Sequence, residues 1–260
     1  MIFLPGFKVL TCGHRGHEPH DHFHHGGGVS GTQQAARQRE IEVERRVLDA
    51  NDRLADDNRR LFADRNVFVL NVMSSPGSGK TTTLIRTIGQ LQTLGIRCAV
   101  IVGDICTCND ADRLAVTGVP AVQINTDPFG GDCHLTAPGV LKALDGLDLS
   151  DIDLLIVENV GNLVCPAEFD IGEHARVVLL SVTEGEDKPL KYPLMFRESD
   201  VALLNKTDLL PYLDFDSEAA VANIQQIHPE MPVWPVSAKT GDGFGPWIEW
   251  IQKRIASEKN

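Results

Sequence analysis

One stretch of this chain, SSPGSGKTT at residues 74–82, constrains the fold more than any other. It follows an apolar run at 67–70 that predicts a buried strand, and it precedes apolar residues at helical spacing from Leu84 to Leu91. A strand, a glycine turn and a Lys-Thr pair that opens a helix form the context of a phosphate-binding P-loop. The general motif begins with glycine, where this chain has Ser74. We therefore predict that backbone N–H groups and a helix N-terminus hold a nucleotide phosphate here.

The side chains of this loop have separate predicted roles. Gly77 and Gly79 let the backbone close around an anion without interference from a Cβ atom. Lys80 can reach the β- and γ-phosphates, and the Thr81 hydroxyl can bind Mg²⁺. The alternative is an ordinary glycine-rich turn, which the flanking strand and helix patterns disfavour. The predicted phosphate-binding residues of the loop are Gly77, Ser78, Gly79, Lys80, Thr81 and Thr82.

Composition excludes several classes of protein. A hydrophobic content of 42% supports a full core, and a net charge of −12 argues against a nucleic-acid partner. No apolar run is long enough to predict a membrane span, and the apolar residues 1–10 lack the basic start of a signal peptide. Six cysteines in a chain of this size do not indicate a disulfide scaffold. Together with the nucleotide loop they predict a cytoplasmic protein whose reduced thiols can bind metal.

The first 32 residues carry a histidine-rich tract that is unable to bury a core. We predict a flexible metal-binding extension over 1–32, because several neutral imidazoles can close on one Ni²⁺, Zn²⁺ or Cu²⁺ ion. The alternatives are a solvated tail without a role or a purification tag, although the irregular spacing is unlike a tag. The histidines predicted to form a nickel reservoir are His14, His17, His20, His22, His24 and His25.

The next segment, 33–66, has the pattern of a charged helix. Its apolar residues recur at seven-residue intervals, as in the column that runs from Ile41 to Phe62. Such a narrow stripe is typical of a coiled-coil seam or of a helix docked on a domain. We favour the docked helix, because the pattern continues almost directly into the first strand. The remaining residues, 67–258, are then predicted to form the nucleotide-binding domain.

Two acidic residues end predicted strands near the P-loop strand. Asp104 follows the apolar run 98–102, and Glu158 ends the run 153–158. The sequence from Glu158 to Gly161 has the form acid-x-x-Gly, in which the acid orients Mg²⁺ and its water while the glycine N–H contacts the γ-phosphate. Asp104 is predicted to lie beside Mg²⁺ or the attacking water. Lys80, Asp104 and Glu158 are thus the predicted catalytic residues.

A guanine-reading motif follows the apolar run 201–204. It reads NKTD, and its Asp208 can accept hydrogen bonds from both N1–H and the exocyclic amine of guanine. Adenine has neither donor there, so a buried carboxylate would be left unpaired and ATP rejected. A Ser-Ala-Lys sequence after the predicted strand 233–236 resembles the loop that closes over the base. The predicted base-binding residues are Asn205, Lys206, Asp208, Ser237, Ala238 and Lys239.

These motifs occur in the order that a GTPase requires, each at the end of a predicted strand. Repeated alternation of strands and helices predicts an α/β fold, with a mostly parallel sheet flanked by helices on both faces. The chain resembles the SIMIBI class of P-loop GTPases and, within it, the HypB-type hydrogenase nickel-insertion GTPases. The resemblance covers roughly residues 40–258. It is carried by SSPGSGKTT, by GDCHLTA at 131–137, by ENVGNLVCPA at 158–167, by TEGED at 183–187 and by NKTD at 205–208.

This resemblance implies a GTP-dependent homodimer that helps to load nickel into [NiFe]-hydrogenase. It also implies partners: a HypA-type nickel chaperone, the hydrogenase large subunit and, in some organisms, a SlyD-like prolyl isomerase. Cys133, His134 and Cys165 match the metal ligands of the family, and thiolate with imidazole suits Ni²⁺ or Zn²⁺. Three ligands leave a site incomplete, whereas a two-fold axis would double the supply. From residue chemistry alone the two cysteines could equally be buried small hydrophobes.

Other interpretations remain open at this point. A urease nickel-insertion GTPase carries a Cys-Pro-His element, which is absent here because Ala167 follows Cys165 and Pro166. A nickel-storage protein would rely on the histidine tract, and a SIMIBI cobalamin-enzyme chaperone is disfavoured by the Cys-His pair and the later cysteine. The pair Cys106 and Cys108 has the wrong spacing for a C-x-x-C redox motif. We interpret these two as incidental small residues rather than metal ligands.

Overall fold

A computed structural model of the protein describes residues 7–9, 31–104, 113–126 and 133–258. The histidine tract, with Cys106 and Cys108, lies outside these residues. The strands are β1 Phe7–Val9, β2 Phe68–Ser74, β3 Cys98–Asp104, β4 Ala121–Asn125, β5 Leu154–Glu158, β6 Ala175–Ser181, β7 Val201–Asn205 and β8 Val233–Pro235. The α-helices are α1 Gly31–Asp64, α2 Lys80–Thr93, α3 Ala137–Leu144, α4 Cys165–Glu168, α5 Lys188–Lys191, α6 Pro193–Arg197, α7 Ser217–Ile227 and α8 Phe244–Glu258.

The strands form one sheet in the order β1-β4-β3-β5-β2-β6-β7-β8. Every neighbouring pair is parallel, which confirms the predicted parallel α/β sheet. The strand β2, which leads into the P-loop, lies between β5 and β6, and all of its residues are buried. Because parallel strands end at the same edge, the residues after β2, β3, β5 and β7 meet along one edge of the sheet.

Helices cover both faces of the sheet. On one face α2 and α8 bury Leu84, Ile88 and Trp247 against alternate residues of the strands, and Trp247 Nε1 donates to Thr87 Oγ1 at 2.9 Å. On the other face α1 and α3 contribute Phe62 and Val140 to a second core. This arrangement follows from β2, whose successive side chains point to opposite faces and are apolar on both. The prediction of helices on both faces is confirmed.

The long helix α1 contacts the rest of the protein through its second half. Ala55 and Phe62 are fully buried, and Arg59 pairs with Asp170 at 2.7 Å. Farther toward the N-terminus of α1, Val43 and Val47 are 61% and 52% exposed. The buried residues of the apolar stripe therefore lie where α1 approaches β2. The proposed division of the chain at 32/33 and 66/67 stays a prediction.

The sequence after the Cys133-His134 pair predicts a helix from Leu135 to Leu144, and the helix α3 begins two residues later, at Ala137. Thr136 is its N-cap and accepts a hydrogen bond from the Gly139 N–H, which fixes the start at Ala137. Leu135 is instead buried in the core and precedes the cap. Within the described residues, no helix combines the length and the apolar character needed to cross a membrane.

Candidate nucleotide and metal sites

The P-loop joins β2 to α2 in a conformation that depends on Gly79. Its φ is +98°, and a Cβ atom there would lie 2.6 Å from Asn205 Nδ2. Asn205 uses that amide to donate to the Ser78 carbonyl at 2.9 Å, so the base motif holds the phosphate loop directly. Lys80 Nζ donates to Ser74 Oγ at 3.0 Å, which places the serine that replaces the motif glycine in contact with the phosphate lysine. The helix α2 begins at Lys80, and the N–H groups of a helix N-terminus are suited to binding a phosphate.

The oxygen groups predicted to bind Mg²⁺ lie at the start of α2 and at the ends of β3 and β5. Thr81 Oγ1 donates to Glu158 Oε1 at 2.9 Å, and Glu158 is only 2% exposed. Asp104 ends β3, two residues beyond Val102, which pairs with Glu158 in the sheet. A hydroxyl and carboxylates are the hard oxygen ligands that Mg²⁺ prefers, so the residues present fit this ion.

The acid-x-x-Gly segment lies against the P-loop. A Cβ atom on Gly161 would be 3.0 Å from the backbone of Pro76, so any other residue here would require Pro76 to move by a few tenths of an ångström. A cavity of about 510 Å³ opens beside this contact. Its lining residues are Ser75, Pro76, Gly161, Asn162, Leu163, Val164, Glu184, Lys188 and Tyr192. The predicted γ-phosphate sensor therefore borders both the phosphate loop and an open cavity.

The predicted guanine site is a smaller cavity of about 240 Å³ on the other side of the P-loop. Asp208 Oδ1 accepts from Ser237 Oγ at 2.7 Å, which fixes the carboxylate that would read the base. Lys206 adopts a left-handed φ of +64°, and its Nζ donates to the Gly77 carbonyl at 2.6 Å. The cavity is lined by Gly79, Thr82, Asn205, Lys206, Asp208, Leu209, Ala238 and Lys239.

Cys133, His134 and Cys165 form a cluster whose ligand atoms all lie within 4.8 Å of one another. Cys133 Sγ is 2.6 Å from Cys165 Sγ, and both cysteines are free thiols of intermediate burial. They are therefore not the buried small hydrophobes of the alternative interpretation. Burial, followed by the contact with Cys133, raises the pKa of the Cys165 thiol to about 11. A metal bound at neutral pH would have to displace that proton.

Two neighbours orient the cluster. The His134 ring stacks on Phe169, with ring centroids 3.8 Å apart and an angle of 27° between the planes. Asn162 Nδ2 donates to Cys165 Sγ at 3.5 Å, and Asn162 Oδ1 accepts from the Val164 N–H at 2.8 Å. Because Asn162 directly follows Gly161, the loop predicted to sense the γ-phosphate also contacts a thiol of the cluster.

Sequence reasoning missed several residues that support these sites. Asn162 and Phe169 flank Cys165, and their polar and aromatic character within a motif-rich segment was a usable signal. Arg86 gave no such signal, because it donates from α2 to the Ala238 carbonyl at 2.8 Å across 152 positions of sequence. It also donates to the Lys239 carbonyl at 3.0 Å and thereby holds the loop that is predicted to close over the base.

The sequence has clear relatives. A profile of the CobW/HypB/UreG nucleotide-binding domain matches residues 68–235. Hydrogenase maturation factor HypB of Escherichia coli strain K12 is 51% identical over 231 residues, which cover 88% of this chain and 78% of that protein. Hydrogenase maturation factor HypB of Azotobacter vinelandii is 52% identical over 238 residues, which cover 91% of this chain and 77% of that protein.

Solved structures with a similar fold include two proteins with the same name as these sequence relatives. HypB from Helicobacter pylori in complex with nickel is 37% identical with a TM-score of 0.75, over 80% of this chain and 96% of that one. Hydrogenase maturation factor HypB from Archaeoglobus fulgidus is 37% identical with a TM-score of 0.73, over 80% of this chain and 100% of that one. The signal recognition particle receptor FtsY from Elizabethkingia anophelis, at 17% identity and a TM-score of 0.50 over 87% and 82% of the chains, shares the fold alone.

Proposed function

The chain belongs to the CobW/HypB/UreG family and, within it, to the HypB-type maturation factors, and we propose that it is a GTP-hydrolysing nickel metallochaperone. In this role it binds Ni²⁺ and assists its insertion into [NiFe]-hydrogenase. One observation carries the proposal beyond nucleotide binding: a Cys-His-Cys cluster adjoins the segment predicted to sense the γ-phosphate. Thiolate and imidazole together select Ni²⁺ or Zn²⁺ over the hard cation that serves the phosphates.

The proposed hydrolysis uses the residues of the cleft. Lys80 and the N–H groups of residues 77–82 neutralise and orient the phosphates, and Asp208 selects guanine. Thr81, Glu158 and Asp104 would hold Mg²⁺, which when bound neutralises charge that develops on the phosphate oxygens. Asp104 or Glu158 orients the attacking water. Asn205, Lys206 and the loop 237–239 close the base site.

We further propose that nickel affinity depends on the bound nucleotide. The γ-phosphate would order the segment around Gly161, and the same segment contacts Cys165 through Asn162. Hydrolysis would release that segment and change the geometry of the cluster. Linkage then requires nickel to change nucleotide affinity by the same factor.

A homodimer completes the proposal. Three ligands from one chain leave open positions in a metal site, and a two-fold axis next to the cleft would supply a second set. GTP would favour this dimer, and Zn²⁺ would compete for the same thiols.

The proposed partners are a HypA-type nickel chaperone, the hydrogenase large subunit and a SlyD-like prolyl isomerase. The thiol ligands favour a reducing cytoplasm as the place of action, with the histidine tract as a weaker nickel reservoir.

Nickel titration of the protein without nucleotide, with GDP and with a non-hydrolysable GTP analogue tests the central proposal. We expect the affinities to differ by a factor in the usual range for coupled sites, about 5- to 150-fold. Sedimentation of the same samples is expected to show more dimer with the GTP analogue. Equal nickel affinities in all three states would contradict the coupling between nucleotide and nickel. Failure to release phosphate from GTP would contradict the proposed GTPase activity.

A further inference from the structure

A buried asparagine links the two sites through a route that none of the motifs predicted. Asn159 follows Glu158 at the end of β5 and is only 1% exposed. Its backbone N–H donates to the Val72 carbonyl at 3.0 Å, so it is fixed to the strand that leads into the P-loop. Its side-chain Oδ1 accepts two backbone N–H groups, from Val160 at 2.9 Å and from Leu135 at 3.1 Å.

The two donors belong to different sites. Val160 lies between Glu158 and Gly161, in the segment that borders the P-loop. Leu135 directly follows the Cys133-His134 pair and is itself buried. One carbonyl oxygen therefore holds the segment that carries two of the metal ligands and the segment predicted to sense the γ-phosphate.

The orientation of the Asn159 amide is fixed from the opposite side. Its Nδ2 donates to Asn71 Oδ1 at 3.2 Å, and Asn71 Nδ2 donates to Glu173 Oε1 at 3.1 Å. Glu173 Oε2 in turn accepts from the Ile171 N–H at 2.8 Å. Each atom in this series of hydrogen bonds is either a donor or an acceptor. A flip of the Asn159 amide would therefore leave buried polar atoms unpaired. Its oxygen must face the two backbone N–H groups.

The metal-bearing segment has a second anchor that does not involve the nucleotide. The Ala137 N–H donates to Asn51 Oδ1 at 2.9 Å, and Asn51 belongs to α1. The two anchors use the same chemistry, an asparagine oxygen accepting a backbone N–H, and their donors are two residues apart. The two anchors belong to different parts of the protein. Asn159 belongs to the segment beside the phosphate loop, and Asn51 belongs to the N-terminal helix α1.

We propose that Asn159 is the positioning residue that transmits the nucleotide state to the Cys133-His134-Cys165 cluster. Movement of residues 160–161 toward a γ-phosphate changes the hydrogen bond between Val160 and Asn159, and the shared oxygen then changes how firmly Leu135 holds the cluster. This proposal rests on the nickel–nucleotide coupling proposed above. It adds the residue and the bond through which that coupling acts.

Nickel titration of the Asn159→Ala variant with GDP and with a GTP analogue is the direct test. We expect the ratio of the two affinities to fall from the wild-type value to within about twofold of one. Asn51→Ala is the matched control: it removes the equivalent bond on the α1 side and is expected to weaken nickel binding by the same factor in both states. Asn159→Asp keeps both acceptor bonds and is expected to retain a ratio above that of Asn159→Ala.

The outcomes separate this inference from the proposed function. A wild-type ratio of one contradicts the coupling itself, and the role of Asn159 falls with it. A wild-type ratio well above one that survives in Asn159→Ala, or that collapses equally in Asn51→Ala, overturns the role of Asn159 alone.

Amide hydrogen exchange of the wild-type protein provides a test that needs no variant to fold. The Leu135 and Val160 amides are expected to change their protection together when GDP is replaced by a GTP analogue, while the Ala137 amide keeps its own. Unchanged protection at Leu135 in a protein that shows nucleotide-dependent nickel affinity contradicts the proposal.

Discussion

The nucleotide cleft and the metal cluster are built in different ways at the same edge of the sheet. In the cleft, the P-loop directly follows the buried strand β2, and Glu158 and Asn205 are the last residues of the buried strands β5 and β7. In the cluster, Cys133 and His134 precede α3 while Cys165 opens α4, so neither segment is part of the sheet. The strands of the sheet fix the positions of the cleft residues. The positions of the cluster residues depend instead on contacts between two segments that connect strands and helices.

Burial follows the same division. Glu158 and Asn205 are 2% and 0% exposed, and their side chains bond to the P-loop or its helix. The three members of the cluster are all of intermediate burial. A buried site whose side chains are hydrogen-bonded to the groups around them is held in one geometry, while a partly exposed one can respond to its neighbours. This difference is consistent with the proposal of a rigid nucleotide cleft beside a metal site whose affinity depends on the nucleotide.

Replacing the P-loop lysine should break the cleft and leave the cluster intact. We expect Lys80→Ala to lower the rate of GTP hydrolysis by about 10²-fold or more, because its charge is aimed at the transferred phosphoryl group. Phosphate release measures the rate. Nickel affinity without nucleotide should stay within about twofold, since the sites are independent in that state. Lys253→Ala, on the exposed face of α8, is the control, and equal rates in both variants would contradict the assignment.

Changing the base-reading carboxylate should alter which nucleotide the cleft accepts. In Asp208→Asn the amide N–H₂ faces the guanine donors, so we expect GTP affinity to fall by about 10²-fold or more. Xanthosine triphosphate has a carbonyl in place of the exocyclic amine and should bind the variant better than GTP. Competition binding with the two nucleotides provides the measurement. Asp214→Asn, at an exposed position, should keep the wild-type preference; the same preference in Asp208→Asn would remove that residue from the base site.

Removing one thiol of the cluster should lower nickel affinity and leave GTP hydrolysis intact, which is the reverse of the result expected for Lys80→Ala. We expect Cys165→Ala to lower nickel affinity by about 10²-fold or more, since even the loss of a group that only orients a ligand costs about 10- to 100-fold. GTP hydrolysis in a buffer that contains Mg²⁺ but no nickel should persist. Cys98→Ala is the matched control, because Cys98 is a buried thiol at the start of β3 whose pKa burial raises to about 12. Equal nickel affinities for the two alanine variants would contradict the cluster.

The smallest expected effect concerns the support of the P-loop strand. His174 Nδ1 accepts from the Val69 N–H at 3.0 Å, and burial, helped by Arg59 and Arg254, lowers the pKa of His174 against the opposing effect of Glu258. The unfolded chain therefore binds this proton more readily than the folded one. Stability should fall as the pH drops through the unfolded pKa of about 6.5, by at most about 1.4 kcal/mol per pH unit.

Urea unfolding between pH 7.5 and about 5.5 measures this slope, a window chosen around the histidine pKa. His174→Gln should flatten it, while His228→Gln, which changes a histidine at the C-terminal end of α7, should retain the wild-type slope. A slope that is the same in all three proteins would contradict the role of His174.

Much of the fold was predictable because its signals are local. The buried runs of β2 and β7 predicted strands, and the motifs beside them predicted a phosphate loop after β2 and a base-binding loop after β7. The order β4-β3-β5-β2-β6 was not predictable, because parallel strands pair with partners that the intervening helix separates in sequence. The start of α3 was misjudged by two residues, because apolar spacing alone does not reveal that Thr136 caps the helix.

The sequence by itself determined the chemistry of the nucleotide cleft. The P-loop, the acid-x-x-Gly segment and the NKTD motif are each one continuous stretch of sequence. The residues that act together within a motif are therefore neighbours in the chain. Tertiary structure decided how the metal cluster is held, through four buried asparagines whose hydrogen-bond partners no periodicity or motif indicates: Asn51, Asn58, Asn71 and Asn159. Their partners lie 24 to 119 residues away, apart from the adjacent Val160 N–H. A long-range hydrogen bond of this kind exists only once the sheet has brought both groups together and excluded the water that would otherwise satisfy them.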